Sequence, residues 1–300
     1  MTMHVDDDEV RRLLHLEPLL GAVRRALIDL CAGRVVQPLR TVMEFEQGLL
    51  FLKPVVTAEV LATKLITHIP GNAARGLPTL LATIVLMDAS TGRTLAVMDA
   101  TWLTALRTAA VSAIAVDCIT SDHPKTVAML GSGALARTHA LALRAVRTIA
   151  EIRIWSRDPA KVAHCADEVN GVQKTSAEEA VRGADIVCTV TNATEPVLKG
   201  AWLKPGAFVA AIGAPRPNWR ELDDEAMANI VIADSYAAAA QESGDVILSG
   251  ASVTAELGEI LAGLRPPPAP GSTIIFKALG QAVVDAAAAR LVYEAKSRMF

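Results

Sequence analysis

Aromatic side chains are scarce: four Trp, two Tyr and five Phe amount to 4% of the 300 residues. With 52% hydrophobic residues, much of it Ala and Val, the core has to form by close packing of small aliphatic groups, which suits helices lying tightly on a sheet. Cysteine is as thin. Cys31, Cys118, Cys165 and Cys188 show no paired metal spacing and read as buried or incidental thiols. His4, His15, His68, His123, His139 and His164 are scattered without a His-x-x-x-His or Cys/His cluster, so no metal site is expected. No apolar run approaches the roughly 18 residues that cross a bilayer; the longest candidates, near Leu77 to Met87 and Ala109 to Val116, are cut short by charge at their ends. The start, Met1-Thr-Met-His-Val-Asp6-Asp7-Asp8, lacks the basic and apolar regions of a secretory signal. A formal charge of -3 gives nucleic acid no electrostatic footing. These absences predict a cytoplasmic protein with neither a nucleic-acid nor a membrane partner.

The length exceeds one ordinary domain, so two are expected. Residues 9–33 carry leucines at 13, 14, 16, 19, 20, 27 and 30 among arginines, the pattern of an amphipathic helical region. Short β-like runs follow at Val35-Val36, Thr41 to Met43, Leu49 to Leu52, Ala62 to Ile66 and Leu80 to Met87, separated by turn residues such as Gln47-Gly48 and Pro70-Gly71-Asn72. They predict a mixed sheet. Thr104 to Ile119 reads as a long Ala-rich helix that Ser121-Asp122-His123-Pro124 ends. Strands then recur at Thr126 to Leu130, Glu151 to Trp155, Ile186 to Val190, Phe208 to Ile212 and Ile230 to Ala233 with helical stretches between most of them, and that alternation implies a parallel sheet. After the stiff loop Pro266 to Gly271 come a short strand and a final Ala-rich helix. The fold class is α/β: a Rossmann-type doubly wound parallel sheet over residues 121–284, plus a mixed α+β domain over residues 1–120 that the end of the chain, about 285–300, completes.

The stretch Thr126-Val-Ala-Met-Leu-Gly131-Ser-Gly133-Ala134-Leu135-Ala136 runs an apolar strand into a tight glycine turn and a helix, and a second strand ends at Trp155. That is the layout of a dinucleotide-binding βαβ unit. Gly131 lets the chain bend off the strand, Gly133 lets backbone approach a pyrophosphate, and the N–H groups of Ala134 and Leu135 at the helix start face phosphate. At the end of the second strand an NAD site usually carries Asp or Glu for the ribose 2′-hydroxyl, and here Ser156-Arg157 follow Trp155. A hydroxyl and a guanidinium bind a 2′-phosphate that a carboxylate would repel, so NADP(H) is favoured over NAD(H). Asp158-Pro159 fits a helix cap followed by proline at the first helical position, although Asp158 stays among the cofactor candidates. Thr191-Asn192 at a strand end and Gly213 after the next strand lie where such a sheet presents its cofactor groove. Lys277, ending the short strand before the last helix, joins that set.

Several segments together resemble the ornithine cyclodeaminase/mu-crystallin family, and its mu-crystallin branch in particular. They are Val36-Gln-Pro-Leu-Arg40-Thr41, Thr63-Lys64-Leu65, Leu95-Ala-Val-Met-Asp99, Leu106-Arg107-Thr108-Ala-Ala-Val-Ser-Ala-Ile, Thr189-Val-Thr191-Asn-Ala-Thr-Glu-Pro, Trp219-Arg-Glu-Leu-Asp-Asp and Glu242-Ser-Gly-Asp-Val, spread from about Val35 to Phe276. The resemblance implies a homodimer whose first domain pairs subunits and supplies the substrate site, with NAD(P)H on the Rossmann domain. Members include ornithine cyclodeaminases, alanine dehydrogenases and reductases of cyclic ketimines. A small imino acid needs its carboxylate fixed, which an arginine fork does bidentately, while a lysine adds a movable charge and a proton. Arg40 and Lys64 stand at the family's substrate-carboxylate positions, and Arg107-Thr108 resemble its arginine and threonine near the carboxylate and the cofactor phosphates.

The departures select among the members. The resemblance places an acidic residue of the cyclodeaminases where this chain has Phe51, and an aspartate, shared with archaeal alanine dehydrogenases, where it has Gly213-Ala214-Pro215. The mu-crystallin branch has Met-Pro at Lys53-Pro54 and serines at Pro215 and Ala278. Lys53 reads first as a solvated strand lysine and second as another cation near the substrate. The expected activity is NADPH-dependent reduction of Δ1-pyrroline-2-carboxylate or Δ1-piperideine-2-carboxylate to proline or pipecolate, with Arg40 and Arg107 on the carboxylate and Lys64 at the imine nitrogen. The alternatives are an ammonia-forming ornithine cyclodeaminase with recycled NAD, an alanine or N-alkyl amino acid dehydrogenase, and a ligand-binding protein without turnover.

Overall fold

A computed structural model of the protein describes residues 2–299. The chain divides into two compact units, Met1–Arg107 together with Gln281–Phe300, and Thr108–Gly280. In chain order the first unit contains β1 (Met3–Val5), α1 (Asp7–Leu13), α2 (Leu16–Cys31), β2 (Thr41–Phe45), β3 (Gly48–Val56), β4 (Val60–His68), β5 (Leu80–Asp88) and β6 (Thr94–Asp99). Helix α3 (Thr101–Ile119) then carries the chain out of it, so the change of unit falls within α3 at Arg107 and not at the loop that ends the helix.

The strands of the first unit form a six-stranded sheet, ordered β1-β6-β5-β4-β3-β2, antiparallel except for the β1–β6 pair. Alternation along each strand sends one set of side chains to a helix-covered face: Leu49, Lys53 and Val55 from β3, Val60, Ala62 and Lys64 from β4, Ala82, Ile84 and Leu86 from β5 are all buried. The single amphipathic region expected at residues 9–33 is two helices, because His15 and Leu14 interrupt it with extended backbone. Asp6 caps α1 through a reciprocal pair with Glu9.

The second unit runs β7 (Lys125–Leu130), α4 (Ala134–Val146), β8 (Ile149–Trp155), α5 (Pro159–Val169), β9 (Val172–Gln173), α6 (Ala177–Val181), β10 (Ile186–Thr189), β11 (Phe208–Ala211), α7 (Asp224–Met227), β12 (Ile230–Ala233), α8 (Tyr236–Glu242), α9 (Gly244–Ser249), β13 (Val253–Glu256), α10 (Leu257–Leu261) and β14 (Ile274–Lys277). The last helix, α11 (Ala282–Ser297), returns to the first unit and packs on α2 and across β3 to β5. All eight strands of the second sheet are parallel, in the order β13-β12-β14-β11-β10-β7-β8-β9. From β7 the chain builds outward through β8 and β9, then returns to place β10 on the other side of β7. The strand order reverses there, which opens a crevice at the C-terminal ends of β7 and β10.

Helix α3 corrects one sequence expectation. The helix is 19 residues long and an 18-residue window of it has a mean hydropathy of 1.4, enough by length and composition to cross a bilayer despite Arg107 and Asp117, but 72% of that window is buried inside the protein. It is a core helix, and small residues such as Ala109, Ala110, Ala113 and Ala115 are what let it pack so closely.

A buried polar network fixes the C-terminal edge of the second sheet. The Lys277 ammonium pairs with Asp245 Oδ2 at 2.7 Å and donates to the Gly213 carbonyl. Asp245 Oδ1 accepts the backbone N–H groups of Glu221 and Leu222, at 2.8 and 3.0 Å. Glu221 in turn takes Thr189 Oγ1 at 2.8 Å, and both the N–H and the hydroxyl of Thr191 at 2.8 and 2.5 Å. Gly213 is required beside it, since a Cβ there would lie 2.3 Å from the Glu221 carboxyl carbon. The ends of β10, β11 and β14 are thereby tied together by charged groups that have no water to fall back on. Removing one partner leaves the other buried and unpaired, so Lys277→Met is expected to cost about 3–5 kcal/mol of unfolding free energy, read from urea denaturation near neutral pH.

Candidate functional site

The first unit gathers cations on its helix-covered face. Register sets Lys53 on β3 directly opposite Lys64 on β4, and residues so paired share a face with their Cβ atoms about 5 Å apart. Arg40 immediately precedes Thr41, whose partner is Leu52, so its position continues the same row beside Lys53. Arg107 comes from α3 and Asp285 from the first turn of α11, where the helix N-terminus favours an anion. Asp285 Oδ1 lies 2.7 Å from Lys64 Nζ and 2.7 Å from Arg107 Nε, and Lys64 also reaches Thr104 Oγ1 at 3.3 Å. The second carboxylate oxygen, Oδ2, is buried and accepts no hydrogen bond among the described residues. Lys64 is 1% exposed, Asp285 2%, Arg107 5% and Lys53 7%, so this is a desolvated cluster and not a surface patch.

Arg40, Lys53, Lys64 and Arg107 act on one another there, and the carboxylate that acts on both lysines is Asp285. Burial, then repulsion from Arg107, outweighs the attraction of Asp285 and brings the Lys64 ammonium down to about 7. Burial and the neighbouring Arg40 and Lys64 hold Lys53 well below the ordinary lysine range. Burial opposes ionisation of Asp285, yet Arg107 and Lys64 keep its carboxyl below the usual value. Enclosed positive charge is stabilised by an incoming anion, and a planar carboxylate fits guanidinium groups bidentately. Lys53, read from sequence first as a solvated strand lysine, is instead buried in this cluster, because its strand position falls on the covered face.

In the second unit, Gly131, Gly133, Ala134 and Leu135 line the turn between β7 and α4 at the crevice. Gly131 has φ 125°, and a Cβ on it would meet the Val190 carbonyl at 2.6 Å, so only glycine fits. Gly133 caps α4 without a side chain, and its missing Cβ faces open space. Backbone N–H groups at the start of a 13-residue helix, with nothing standing over them, form a cradle that fits a pyrophosphate. Across the crevice, Thr191 and Asn192 follow β10 and Gly213 follows β11; Thr191 is held by Glu221, and Asn192 is exposed. Ser156 follows β8 and shares a 2.9 Å hydrogen bond with Ser132 of the glycine turn. Arg157 is exposed and forms no ion pair among the described residues. Asp158 accepts the N–H groups of Ala160 and Lys161 as the cap of α5 and pairs with Lys161 Nζ at 3.2 Å, so its carboxylate is engaged locally. Thr108 is buried in α3 next to Arg107.

Lys277 has a different place from the one read from sequence. It is fully enclosed, its ammonium spent on Asp245 and the Gly213 carbonyl, so it supports the Gly213 turn from behind and does not present itself to a ligand. Sequence reasoning also passed over Asp285, Glu221 and Asp245. Asp285 had a legible signal: it is the one charged residue between Lys277 and Arg290, in an otherwise apolar helix start, Ala282-Val-Val-Asp285-Ala-Ala-Ala-Ala. A lone charge on such a segment is buried and needs partners. Glu221, in a loop, and Asp245, in the first turn of α9, fall within segments quoted for the family resemblance, but their partners are distant in sequence and gave no sign of a role.

The sequence pattern of the ornithine cyclodeaminase/mu-crystallin family matches residues 2–299. A ketimine reductase mu-crystallin of Macropus fuliginosus is 43% identical over 302 residues, covering 97% of this chain and 96% of that protein. Among solved structures, the Δ1-pyrroline-2-carboxylate reductase of Thermococcus litoralis in complex with NADH and L-proline superposes with a TM-score of 0.94 at 31% identity, covering 99% of this chain and 98% of that one. An archaeal alanine dehydrogenase dimer with bound NAD also reaches 0.94, at 29% identity and 99% and 97% coverage. With the pattern matched from end to end and relatives of this similarity over nearly their whole length, the chain belongs to the ornithine cyclodeaminase/mu-crystallin family.

Proposed function

We propose that, within the pyridine-nucleotide-dependent oxidoreductases of C=N bonds, this chain reduces cyclic ketimines such as Δ1-pyrroline-2-carboxylate and Δ1-piperideine-2-carboxylate to proline and pipecolate, with NADPH. The observation that carries the reading is the cluster in which buried Lys64 and Arg107 share Asp285, with buried Lys53 and half-buried Arg40 beside them. Arg40 and Arg107 hold the substrate carboxylate and so orient the ring. Lys64, tethered by Asp285, gives its proton to the imine nitrogen, which makes the adjoining carbon far more electrophilic. An ammonium that titrates at about 7 is well matched to give up a proton near neutral pH. The bound dinucleotide supplies the two electrons as hydride.

The cyclodeaminase reading is weaker on this chain's own residues. Phe51 stands two positions from Lys53 on the same face of β3, opposite Ile66, and offers no proton-handling group. Ala214-Pro215 offers none either, and Ala214 is itself held at φ 51°. The preference for a phosphorylated dinucleotide is supported by exposed Arg157 after β8 and by the local engagement of Asp158 in its helix cap. A homodimer is supported by the second face of the six-stranded sheet, where Leu52, Leu61, Leu65, Val85 and Val97 form an apolar row that is only half-buried. Four free thiols, of which burial pushes Cys188 up to about 12, suit a reducing cytoplasm.

Purified protein given either ketimine should oxidise NADPH stoichiometrically, whereas ornithine should give no net absorbance change. As kcat/KM reports the free enzyme, its plot should fall tenfold per pH unit above about pH 7, where Lys64 loses its proton. Lys64→Met should lower kcat at least about 100-fold and abolish that limb while NADPH still binds. Ammonia release from ornithine without net NADPH consumption would replace this reading with the deaminase. Cofactor choice is tested separately: Arg157→Asp should reduce the NADPH over NADH ratio of kcat/KM at least about 30-fold, and an unchanged ratio would remove Arg157 from phosphate recognition.

A further inference from the structure

His139 has no part in the reduction described above, yet it is wholly buried in α4, the helix that opens the cofactor crevice. Its Nδ1 lies 2.7 Å from the Leu135 carbonyl, one turn back in the same helix. A carbonyl oxygen only accepts, so Nδ1 carries the proton, and burial brings the ring down to about 4, which keeps it neutral at physiological pH. The bare Nε2 then accepts the hydroxyl of Ser112 on α3, at 3.0 Å. Ser112 has a single hydroxyl proton, and the ring nitrogen is a nearer acceptor than the Thr108 carbonyl at 3.5 Å. Both side chains are fully enclosed, so breaking the bond leaves a polar atom without water to replace its partner.

What the bond joins gives it a role. Ser112 sits one turn after Thr108 on α3, and His139 one turn after Leu135 on α4. Thr108, Ala134 and Leu135 are the residues given above to the cofactor phosphates. Gly133 has no side chain with which to cap α4, so the N–H groups of Ala134 and Leu135 face a ligand uncapped. The carbonyl side of the same turn is held from behind: the Thr138 hydroxyl lies 3.2 Å from the carbonyl oxygens of both Ala134 and Leu135, and the His139 ring takes the second of them. We propose, resting on the dinucleotide reading above, that His139 is a positioning residue for the cofactor diphosphate: through Ser112 it fixes the first turn of α4 against the turn of α3 that carries Thr108, so that phosphate contacts from both helices are set before the cofactor arrives. The imidazole does this without touching the cofactor, and its contribution is a lower cost of ordering the cradle on binding.

The test measures NADPH and NADH dissociation constants, by the fluorescence of the reduced nicotinamide, for the native protein, Ser112→Ala, His139→Leu, the double variant and His139→Gln, with steady-state KM values beside them. The expected result is that Ser112→Ala and His139→Leu each weaken the better-bound dinucleotide at least about fivefold, and that the double variant loses little more than either, since both break the same bond. His139→Gln keeps most of the affinity, because its amide oxygen accepts the Ser112 hydroxyl. The loss falls on KM for the dinucleotide, while KM for the ketimine stays within about twofold. Native-like dissociation constants in Ser112→Ala and His139→Leu overturn the inference and leave the dinucleotide reading standing; so does an equal rise in both KM values, the mark of general loosening. If the native protein itself binds neither dinucleotide, the reading and the inference fall together. Should His139→Leu fail to fold, Ser112→Ala against His139→Gln decides: affinity weakened in the first and kept in the second supports the inference, and equal affinity ends it.

Discussion

The first unit depends on one contact, the shared oxygen through which Asp285 holds both Lys64 and Arg107 under the sheet. Without that carboxylate, three or four positive groups would face each other in a space from which water is nearly absent, and the strands that carry them could not keep those side chains inward. With it, the cluster is tolerated, and Oδ2 of Asp285 still lacks a donor among the described residues. A desolvated group of cations favours an anion beside it, which is the basis of the carboxylate-binding role proposed for it.

The second unit solves the opposite problem, with backbone in place of side chains. Gly131 lets the turn pass close to Val190 and Gly133 leaves open space at the start of α4, so that N–H groups present positive potential without any fixed cation. Glu221, Asp245 and Lys277 then hold the facing loop ends rigid from behind, each buried charge meeting a fixed partner. Side-chain charge is therefore concentrated in the first unit, and preorganised backbone amides in the second.

Much of this was legible in the sequence. Every strand expected between Thr126 and Ala233 is present within two residues, because parallel strands buried on both faces read as unbroken apolar runs. The glycine turn was legible because positive φ and close approach leave few residue choices. The six-stranded sheet was harder: β6 and the short β1 went unread, since Thr94 to Asp99 is brief and β1 exists only by pairing with it. Arg40, Lys64 and Arg107 were reached through family resemblance, as nothing in an isolated arginine or lysine tells burial from exposure. Lys53 shows the limit clearly. Its alternation along β3 gave the right face to anyone who knew which face was covered, and only the placement of α11 supplies that. Lys277 shows the converse, a residue at the C-terminal end of β14 that is turned inward by a partner, Asp245, 32 positions away.

The central claim is that the Lys64 ammonium, held near neutrality by its surroundings, takes up its proton when a carboxylate enters beside it. Proton linkage measures this directly. Titrating pyrrole-2-carboxylate, a ligand with no amine to confuse the count, into the protein with saturating NADP+ in two buffers of different ionisation enthalpy gives the protons taken up per ligand bound. At about pH 8, where free Lys64 is mostly neutral, the account predicts an uptake approaching one proton, diminishing toward about pH 6 and lost in Lys64→Met. A binding heat that is the same in both buffers at pH 8 would contradict it.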